Sequence, residues 1–381
     1  MMFDNRMVST KQNQPVPIHR KRLLGLDFLD ERVLPSAVPA SAHPDSNADS
    51  QVDATKYSRV IPQSPDLEPL KISMDLPSAQ VVPLSKASTA INLPRGTMPA
   101  GGWPVVFLFN GDAMGAVGGG AQAANLSNTL LKNGVATAVV SYPNLVSVDT
   151  FEKSIVAVLQ NAASGHLADS GKINPHQFGV AGFSAGGFVS TFLLAKYAHG
   201  YGYDLRGGIS YYGFADLNTW FAYHRSEAKG ILPTDPLLRG GNDPNSVCYT
   251  PRGPAICKQH SSELISAVGA HIAGPSVDKL QSFSTTNVIN QLVSSGKGAE
   301  VAPIYGVFGS KDPNIIPAIN QRQIQALWSQ AGSEYHYSIY AGTHGAEWTV
   351  APDSMNWLVA KLSSNDSSSI SGDINTVRNV K

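Results

Sequence analysis

Ser184 lies in the glycine-rich stretch Gly-Phe-Ser-Ala-Gly-Gly at positions 182–187. An apolar run at 178–181 precedes it, and a stretch with helical character begins near Phe188. A serine on so tight a strand-to-helix turn has its hydroxyl exposed beyond the end of a sheet. Glycines must flank it because the strained backbone leaves no room for side chains against the following helix. Ser184 is therefore a candidate nucleophile.

Strand-like and helix-like segments alternate on both sides of Ser184, which is typical of a mostly parallel sheet with helices on both faces. Residues 70–74 and 89–93 are predicted to form two leading strands at an antiparallel edge. Further strands are predicted at 104–109, 134–141, 178–181, 208–212, 301–308 and 335–340, and helices at 121–132, 148–163, 188–198, 317–331 and 352–362. About ninety residues separate two of these strands, more than one crossover helix requires, so an insertion or cap is predicted at about 214–299.

The order of these elements resembles that of the α/β-hydrolase superfamily across residues 71–362. The local sequence resembles esterases of the acetylesterase, carboxylesterase and dienelactone-hydrolase type, in the stretches 93–96 with 103–111, 173–187 and 308–313. The second stretch is the most specific, because a strand that leads directly into Gly-x-Ser-Ala-Gly-Gly is much rarer than Gly-x-Ser-x-Gly alone. The resemblance implies an α/β-hydrolase fold, with a mostly parallel, doubly wound sheet and the insertion before the strand that carries an acid.

The resemblance also implies a catalytic triad, which follows the chain order serine, acid, histidine in this superfamily. A serine hydroxyl is a weak nucleophile unless a histidine takes its proton, and a carboxylate must orient that imidazole and stabilise its cation. Asp312 follows the strand that ends at Phe308, in a Gly-Ser-Lys-Asp-Pro loop, and His344 follows the last strand. The triad implied is Ser184, Asp312 and His344.

Each partner of the serine has a competing interpretation. Asp312 could simply cap the turn that follows it, and Asp216 is the rival acid because some superfamily members place the acid one strand earlier. His336 is the other histidine that follows Asp312. It lies inside the alternating strand 335–340, where a structural role is favoured.

An oxyanion formed by attack on an ester needs two hydrogen-bond donors, and the backbone N–H of Ala185 is expected to be one of them. The second is expected from the loop after Phe109, where the superfamily's His-Gly-Gly-Gly is replaced by Asn-Gly-Asp-Ala at 110–113. Gly111 and Asp112 are the candidates. Because the donor is a backbone group, the change need not abolish catalysis, but it argues against a typical hormone-sensitive-lipase member.

Three tyrosines follow or end predicted strands: Tyr142, Tyr211 and Tyr212. They could line a substrate pocket, because ligands in open α/β sheets bind beyond the carboxyl ends of the strands. Packing in the core is an equally good explanation.

Composition excludes several classes of partner. The chain has 381 residues, a formal net charge of +0 and only 15% charged residues, against a usual value of about 25%. This gives no electrostatic signature of nucleic acid or anionic membrane binding, and it indicates a small or neutral substrate. No apolar run approaches the roughly 20 residues that a spanning helix requires, so no integral membrane segment is expected. The oligomeric state is left open.

The chain contains two cysteines, Cys248 and Cys257, in a stretch rich in Pro, Gly and Ser. A structural zinc site needs about four ligands, and no matching Cys or His pair stands nearby. A short-loop disulfide is the favoured interpretation and would fit an oxidising compartment. Two unpaired thiols are the alternative.

Both ends of the chain differ in composition from the domain expected at 56–362. Residues 1–55 are predicted to be disordered, and charges at 27 and 30–32 interrupt what would be the apolar core of a secretory signal. The sequence at 19–36 nevertheless resembles N-terminal segments of exported or surface proteins of some bacteria. This resemblance implies export and leaves a cytoplasmic location open. The polar, serine-rich tail 363–381 is also predicted to be disordered.

The resemblance as a whole implies a serine hydrolase that cleaves carboxylic esters through an acyl-enzyme, without a cofactor or metal. A serine peptidase of the prolyl-oligopeptidase type is one alternative, although about a hundred preceding residues cannot build the propeller that such enzymes carry. A non-catalytic binding protein that retains the fold is the other, and only the altered oxyanion loop supports it. The sequence does not indicate which ester is cleaved.

Overall fold

The computed structural model of the chain describes residues 88–111, 120–141, 148–228, 283–310, 317–342 and 352–364, together with positions 312, 315 and 344. The predicted strand at 70–74, the N-terminal segment 1–55, both cysteines and all but the first two residues of the C-terminal tail lie outside these residues. None of the helices in these ranges combines the length and the hydropathy needed to span a bilayer.

The described strands form one sheet in the order β1-β3-β2-β4-β5-β6-β7, in which β1 is antiparallel to β3 and the remaining pairs are parallel. The strands are β1 (Ser88–Asn92), β2 (Trp103–Phe109), β3 (Ala136–Ser141), β4 (Ile173–Phe183), β5 (Leu205–Tyr211), β6 (Ile304–Gly309) and β7 (Tyr335–Tyr340). The helices are α1 (Gly120–Lys132), α2 (Val148–Ala163), α3 (Ala185–Lys196), α4 (Leu217–Ala228), α5 (Thr285–Ser294), α6 (Pro317–Ala331) and α7 (Pro352–Ser363). This architecture confirms the predicted fold class, a mostly parallel sheet of the α/β-hydrolase type.

The central strands are buried on both faces, which explains why they are continuous apolar runs rather than alternating ones. In β2, Val105, Phe107 and Phe109 pack in the core between the sheet and helices α2 to α6. Val106 and Leu108 point to the other face and pack with residues of α1 and α7. Successive side chains of a strand alternate between faces, so one apolar run contributes to both cores.

Several boundaries differ from those that the sequence predicts, among them the starts of β5, at Leu205 rather than 208, and of β6, at Ile304 rather than 301. β3 begins at Ala136 because Gly134 ends α1, with φ of +75° and the following N–H bonded to Leu130 O. β4 begins earlier than predicted, at Ile173, and contains a register shift against β2. α3 begins at Ala185, directly after the candidate nucleophile.

The predicted insertion at 214–299 lies between β5 and β6. Its described parts include helix α4 at the start and helix α5 near the end. Residues 229–282 lie outside the described ranges, so the cap itself stays a prediction.

A carboxylate joins β7 to α7 at the edge of the sheet. Glu334 accepts hydrogen bonds from Trp357 Nε1 (3.0 Å) and Lys361 Nζ (2.5 Å), and its Oε1 lies 2.7 Å from His336 Nε2. Burial alone would raise the pKa of Glu334, but the hydrogen bonds from His336, Lys361 and Trp357 outweigh it and lower the pKa to about 2. The folded state therefore binds the ionised form more favourably than the unfolded chain does.

Replacing Glu334 by Gln should lower the free energy of unfolding at pH 7 by about 1 kcal/mol, a value reduced for the partial exposure of the carboxylate. A depressed pKa stabilises the fold above the ordinary value of 4.5, and this contribution is lost as the pH falls from there towards about 2. The difference between wild type and Glu334→Gln should therefore shrink over that window. Urea denaturation at pH 7, 5 and 3 measures it.

The exposed pair Lys297–Glu300, at 3.3 Å, provides the control. Glu300→Gln should change the stability little at any of these pH values, because exposed ion pairs contribute little. A difference for Glu334→Gln that stays constant from pH 7 to pH 3 would contradict the interpretation.

Candidate active site

Ser184 connects the end of β4 to the start of α3 in a strained backbone conformation. Its φ of 52° and ψ of −115° lie outside the regions that residues with a side chain usually occupy. Its N–H donates to Tyr211 O (2.9 Å), and its carbonyl accepts the first helical hydrogen bond, from Phe188 N (3.1 Å). Such a conformation costs about 1–3 kcal/mol and persists only where the surroundings hold it. It directs the hydroxyl away from the helix at the carboxyl edge of the sheet.

The glycines around Ser184 are required by close contacts of the backbone. A Cβ at Gly182 would lie 2.0 Å from Gly186 O, and one at Gly186 would lie 2.1 Å from Phe109 O. A Cβ at Gly187 would lie 2.7 Å from Gly213 Cα. The first turn of α3 therefore lies directly against the ends of β2 and β5, where no side chain fits.

The structure brings Ser184, His344 and Asp312 into one line of hydrogen bonds. His344 Nε2 lies 2.9 Å from Ser184 Oγ, and His344 Nδ1 lies 2.8 Å from Asp312 Oδ2. With the proton on Nδ1, the imidazole donates to the carboxylate and can accept the serine proton at Nε2. The Asp312 side chain is fully buried, and that of His344 is 15% exposed. The arrangement suits proton transfer from the hydroxyl to the imidazole.

Asp312 makes both contacts that the sequence offered as alternatives. Its Oδ1 accepts from Ile315 N (2.9 Å) and so caps the following turn, while its Oδ2 faces His344. Because both oxygens have donors, the buried carboxylate is held in one orientation by the loop that carries it.

The two competing residues lie in other networks. Asp216 Oδ2 accepts from Ser284 Oγ (2.5 Å), and Asp216 Oδ1 accepts from Thr219 N (3.1 Å), so this carboxylate links the starts of α4 and α5. His336, in β7, contacts Glu334, which directly precedes this strand. The structure does not bring either residue into a hydrogen bond with Ser184 or His344.

Two of the residues predicted to be oxyanion donors, Ala185 and Gly111, lie beside Ser184. Ala185 is the first residue of α3, and the first N–H groups of a helix have no acceptor within it and carry partial positive charge. A Cβ at Gly111 would lie 3.1 Å from Ser184 Cβ, so the chain after β2 passes beside the serine. Asp112, the other candidate, lies outside the described residues.

Two buried hydroxyl groups donate hydrogen bonds to the first turn of α3. Thr191 Oγ1 donates to Gly187 O (2.8 Å), and Ser210 Oγ in β5 donates to the same oxygen (3.1 Å). A Cβ at Gly213 would lie 2.3 Å from Ser210 Oγ. Sequence reasoning missed these residues. The small residues around the Tyr211-Tyr212 pair were the one signal for them.

Tyr211 and Tyr212, the two described members of the tyrosine set, are each only 1% exposed. The ring of Tyr211 stacks on Phe183 at 4.9 Å, and its hydroxyl lies 3.3 Å from Ser354 Oγ. Burial raises the pKa of Tyr211 to about 12, so this hydroxyl stays protonated. Tyr211 is therefore a core residue, whereas the ring of Tyr212 lies 4.8 Å from that of His344.

Within the described residues, no three His, Cys, Asp or Glu side chains are grouped closely enough to hold a metal ion. The groups that the described residues bring together at this edge of the sheet are the Ser184 hydroxyl, the His344 imidazole and the Asp312 carboxylate, beside the backbone at the start of α3.

No family model matches the chain, and no curated protein matches it. Among solved structures, a bifunctional GH43-CE protein of Bacteroides eggerthii is 17% identical, with a TM-score of 0.49 over 72% of this chain and 36% of that chain. A carboxylesterase of Lactobacillus plantarum WCFS1 is 15% identical, with a TM-score of 0.44 over 68% of this chain and 79% of that chain. The acylaminoacyl peptidase of Pyrococcus horikoshii is 13% identical, with a TM-score of 0.41 over 75% of this chain and 43% of that chain. The chain thus spans just over a third of the Bacteroides protein. The function proposed below rests on the geometry of the site.

Replacing Gly186 by Ala should lower the free energy of unfolding by about 3 kcal/mol or more, because the new methyl group would overlap a backbone oxygen of β2. Helix propensity alone predicts the opposite, since alanine favours a helix over glycine by about 1 kcal/mol. Urea denaturation measures the change.

Gly171→Ala is the matched control, because Gly171 is exposed and a Cβ there would meet nothing within 4 Å. Its stability should stay within about 0.5 kcal/mol of wild type. If Gly186→Ala were as stable as Gly171→Ala, the close approach of α3 to β2 would be wrong.

Proposed function

We propose that this chain is a serine hydrolase that cleaves carboxylic esters through an acyl-enzyme. The observation that carries the proposal is the line from Ser184 Oγ to His344 Nε2 at 2.9 Å and from His344 Nδ1 to Asp312 Oδ2 at 2.8 Å. Both distances fall within hydrogen-bond range for a nucleophile, its base and the group that orients the base. The esterase-like stretches of the sequence support an ester as the substrate.

The reaction begins when Ser184 Oγ attacks the ester carbonyl carbon and His344 Nε2 takes the hydroxyl proton. The tetrahedral intermediate collapses, the bond to the alcohol oxygen breaks, and His344 returns the proton to the departing alcohol. Water then attacks the acyl-enzyme with His344 as base again, and the carboxylic acid leaves as Ser184 recovers its proton. No cofactor or metal takes part in these steps, since the chain supplies each group that they use.

Charge develops at two points, and the site has a group for each. The imidazolium forms next to the buried Asp312 carboxylate, which stabilises it and fixes the Nδ1 tautomer. The oxyanion forms at the N-terminus of α3, where the N–H of Ala185 is one donor and the chain at Gly111 or Asp112 provides the other. Each donor is worth roughly 3 kcal/mol of the barrier.

We also propose that the protein is exported or associated with the cell surface. Two features of the sequence support this proposal: the resemblance of residues 19–36 to segments of exported proteins, and the cysteine pair, which would form a disulfide in an oxidising compartment.

Replacing Ser184 by Ala should lower kcat on a p-nitrophenyl acyl ester by about a millionfold, because the nucleophile is lost while the fold is kept. Asp312→Asn should lower it by about ten-thousandfold, since the imidazole is then held in the wrong tautomer. Steady-state kinetics on variants with wild-type thermal melting measure both changes.

Asp216→Asn is the matched control for the acid, because this carboxylate links two helices and makes no hydrogen bond to His344. It should lower stability and leave kcat within a few-fold of wild type. Equal losses for the two Asn variants, or an active Ser184→Ala protein, would contradict the proposal. Turnover of the matching p-nitroanilides, and of esters from acetate to laurate, separates an esterase from a peptidase and measures the preferred acyl length.

A further inference from the structure

Tyr212 has an unusual backbone conformation directly beside the candidate triad. Among the described residues, three with side chains have positive φ: Asp169, Ser184 and Tyr212. Aspartate tolerates this region because its short side chain bonds locally, whereas a bulky residue with φ of 37° is an outlier. The two remaining residues, Ser184 and Tyr212, both lie at the same site. Residues with strained backbones are concentrated at functional sites, so the conformation of Tyr212 indicates a role at this site.

Contacts on both sides hold Tyr212 in this conformation. Its N–H donates to Val307 O in β6 (2.5 Å), and the preceding carbonyl, of Tyr211, accepts from Ser184 N (2.9 Å). The following residue, Gly213, lies against Gly187 in the first turn of α3. The end of β5 is therefore tied to β6 and to the backbone of the candidate nucleophile.

The ring that this conformation directs into the site contacts the imidazole. The centroids of the Tyr212 and His344 rings are 4.8 Å apart at 63°, an edge-to-face arrangement. The centroid of the Phe183 ring lies 6.1 Å from that of Tyr212, and Tyr212 is 1% exposed. The buried phenol ring therefore lies against the imidazole.

The hydrogen bonds of His344 leave one rotation of its ring weakly restrained. Contacts at Nδ1 and Nε2 fix the two nitrogen atoms, but they restrain only weakly the tilt of the ring about the line that joins them. Tilt turns the Nε2 lone pair away from Ser184 Oγ by a smaller angle than the tilt itself, because the lone pair points close to that line, and proton transfer is sensitive even to small misalignment. A ring packed against the imidazole opposes the tilt.

We propose that Tyr212 is a positioning residue, whose ring holds the His344 imidazole in the orientation that takes the Ser184 proton. The inference rests on the function proposed above and deepens it. The ring carries the role, so Tyr212→Phe should retain it and Tyr212→Leu should lose it. The strain at Tyr212 is then the consequence of directing a large ring from the end of β5 towards the histidine.

The test measures kcat, KM and the rate of labelling by a fluorophosphonate, together with thermal melting, on the full chain. For Tyr212→Leu we expect kcat and the labelling rate to fall in parallel by about tenfold, with KM unchanged. Tyr212→Phe should stay within about twofold of wild type. If Tyr212→Leu does not fold, Tyr212→Asn gives the same test, because asparagine tolerates positive φ and lacks the ring.

Tyr203→Leu is the matched control, since Tyr203 is also buried and next to a phenylalanine ring, at the opposite end of β5. It should lose stability and retain kcat. A folded Tyr212→Leu or Tyr212→Asn protein with wild-type kcat would overturn the inference, as would equal losses in Tyr212→Phe or Tyr203→Leu. A wild-type protein that neither hydrolyses esters nor is labelled at Ser184 would instead overturn the proposed function, and the inference with it.

Discussion

The first turn of α3 lies in backbone contact with the ends of β2 and β5, and the arrangement of the site depends on this contact. The approach is possible only because Gly182, Gly186 and Gly187 have no Cβ, since each Cβ would come within 2.7 Å of another main-chain atom. Buried hydroxyl groups of Thr191 and Ser210 hold the same turn through Gly187 O. A rigid turn places Ser184 at a fixed distance from the loops after later strands, which is what a hydrogen-bonded nucleophile needs.

The Asp312 carboxylate and the His344 imidazole are largely shielded from solvent. The buried Asp312 carboxylate is oriented by Ile315 N at one oxygen and faces His344 at the other. The capping contact and the contact with the histidine are therefore not alternatives, because a carboxylate has two oxygens and the loop uses both. An acid fixed in this way does not have to be ordered when the imidazolium forms, which favours proton transfer in the proposed mechanism.

The sequence predicted the seven strands of the described sheet and the strand ends where the candidate residues lie, because buried parallel strands are apolar runs and the flanking glycines mark a tight turn. It predicted five of the seven described helices and missed α4 and α5, which lie in the insertion. It could not predict the support beneath the turn. The contact of Gly187 with Gly213 and the hydrogen bonds of Ser210 join residues that are distant in sequence, and nothing local to either residue indicates its partner. The positive φ of Tyr212 also depends on residues distant in sequence, since contacts with β6 and α3 hold a conformation that tyrosine rarely adopts. The start of α3 was placed too late because glycines are poor helix formers, and packing overrides that preference here.

Labelling with a fluorophosphonate probe followed by peptide mapping tests most directly whether His344 activates Ser184 as a nucleophile. In the wild-type protein the label should lie on the single peptide that contains Ser184, and His344→Gln should be labelled far more slowly although it remains folded. A folded wild-type protein without label, a label on another residue, or equal labelling rates for wild type and His344→Gln would contradict this account.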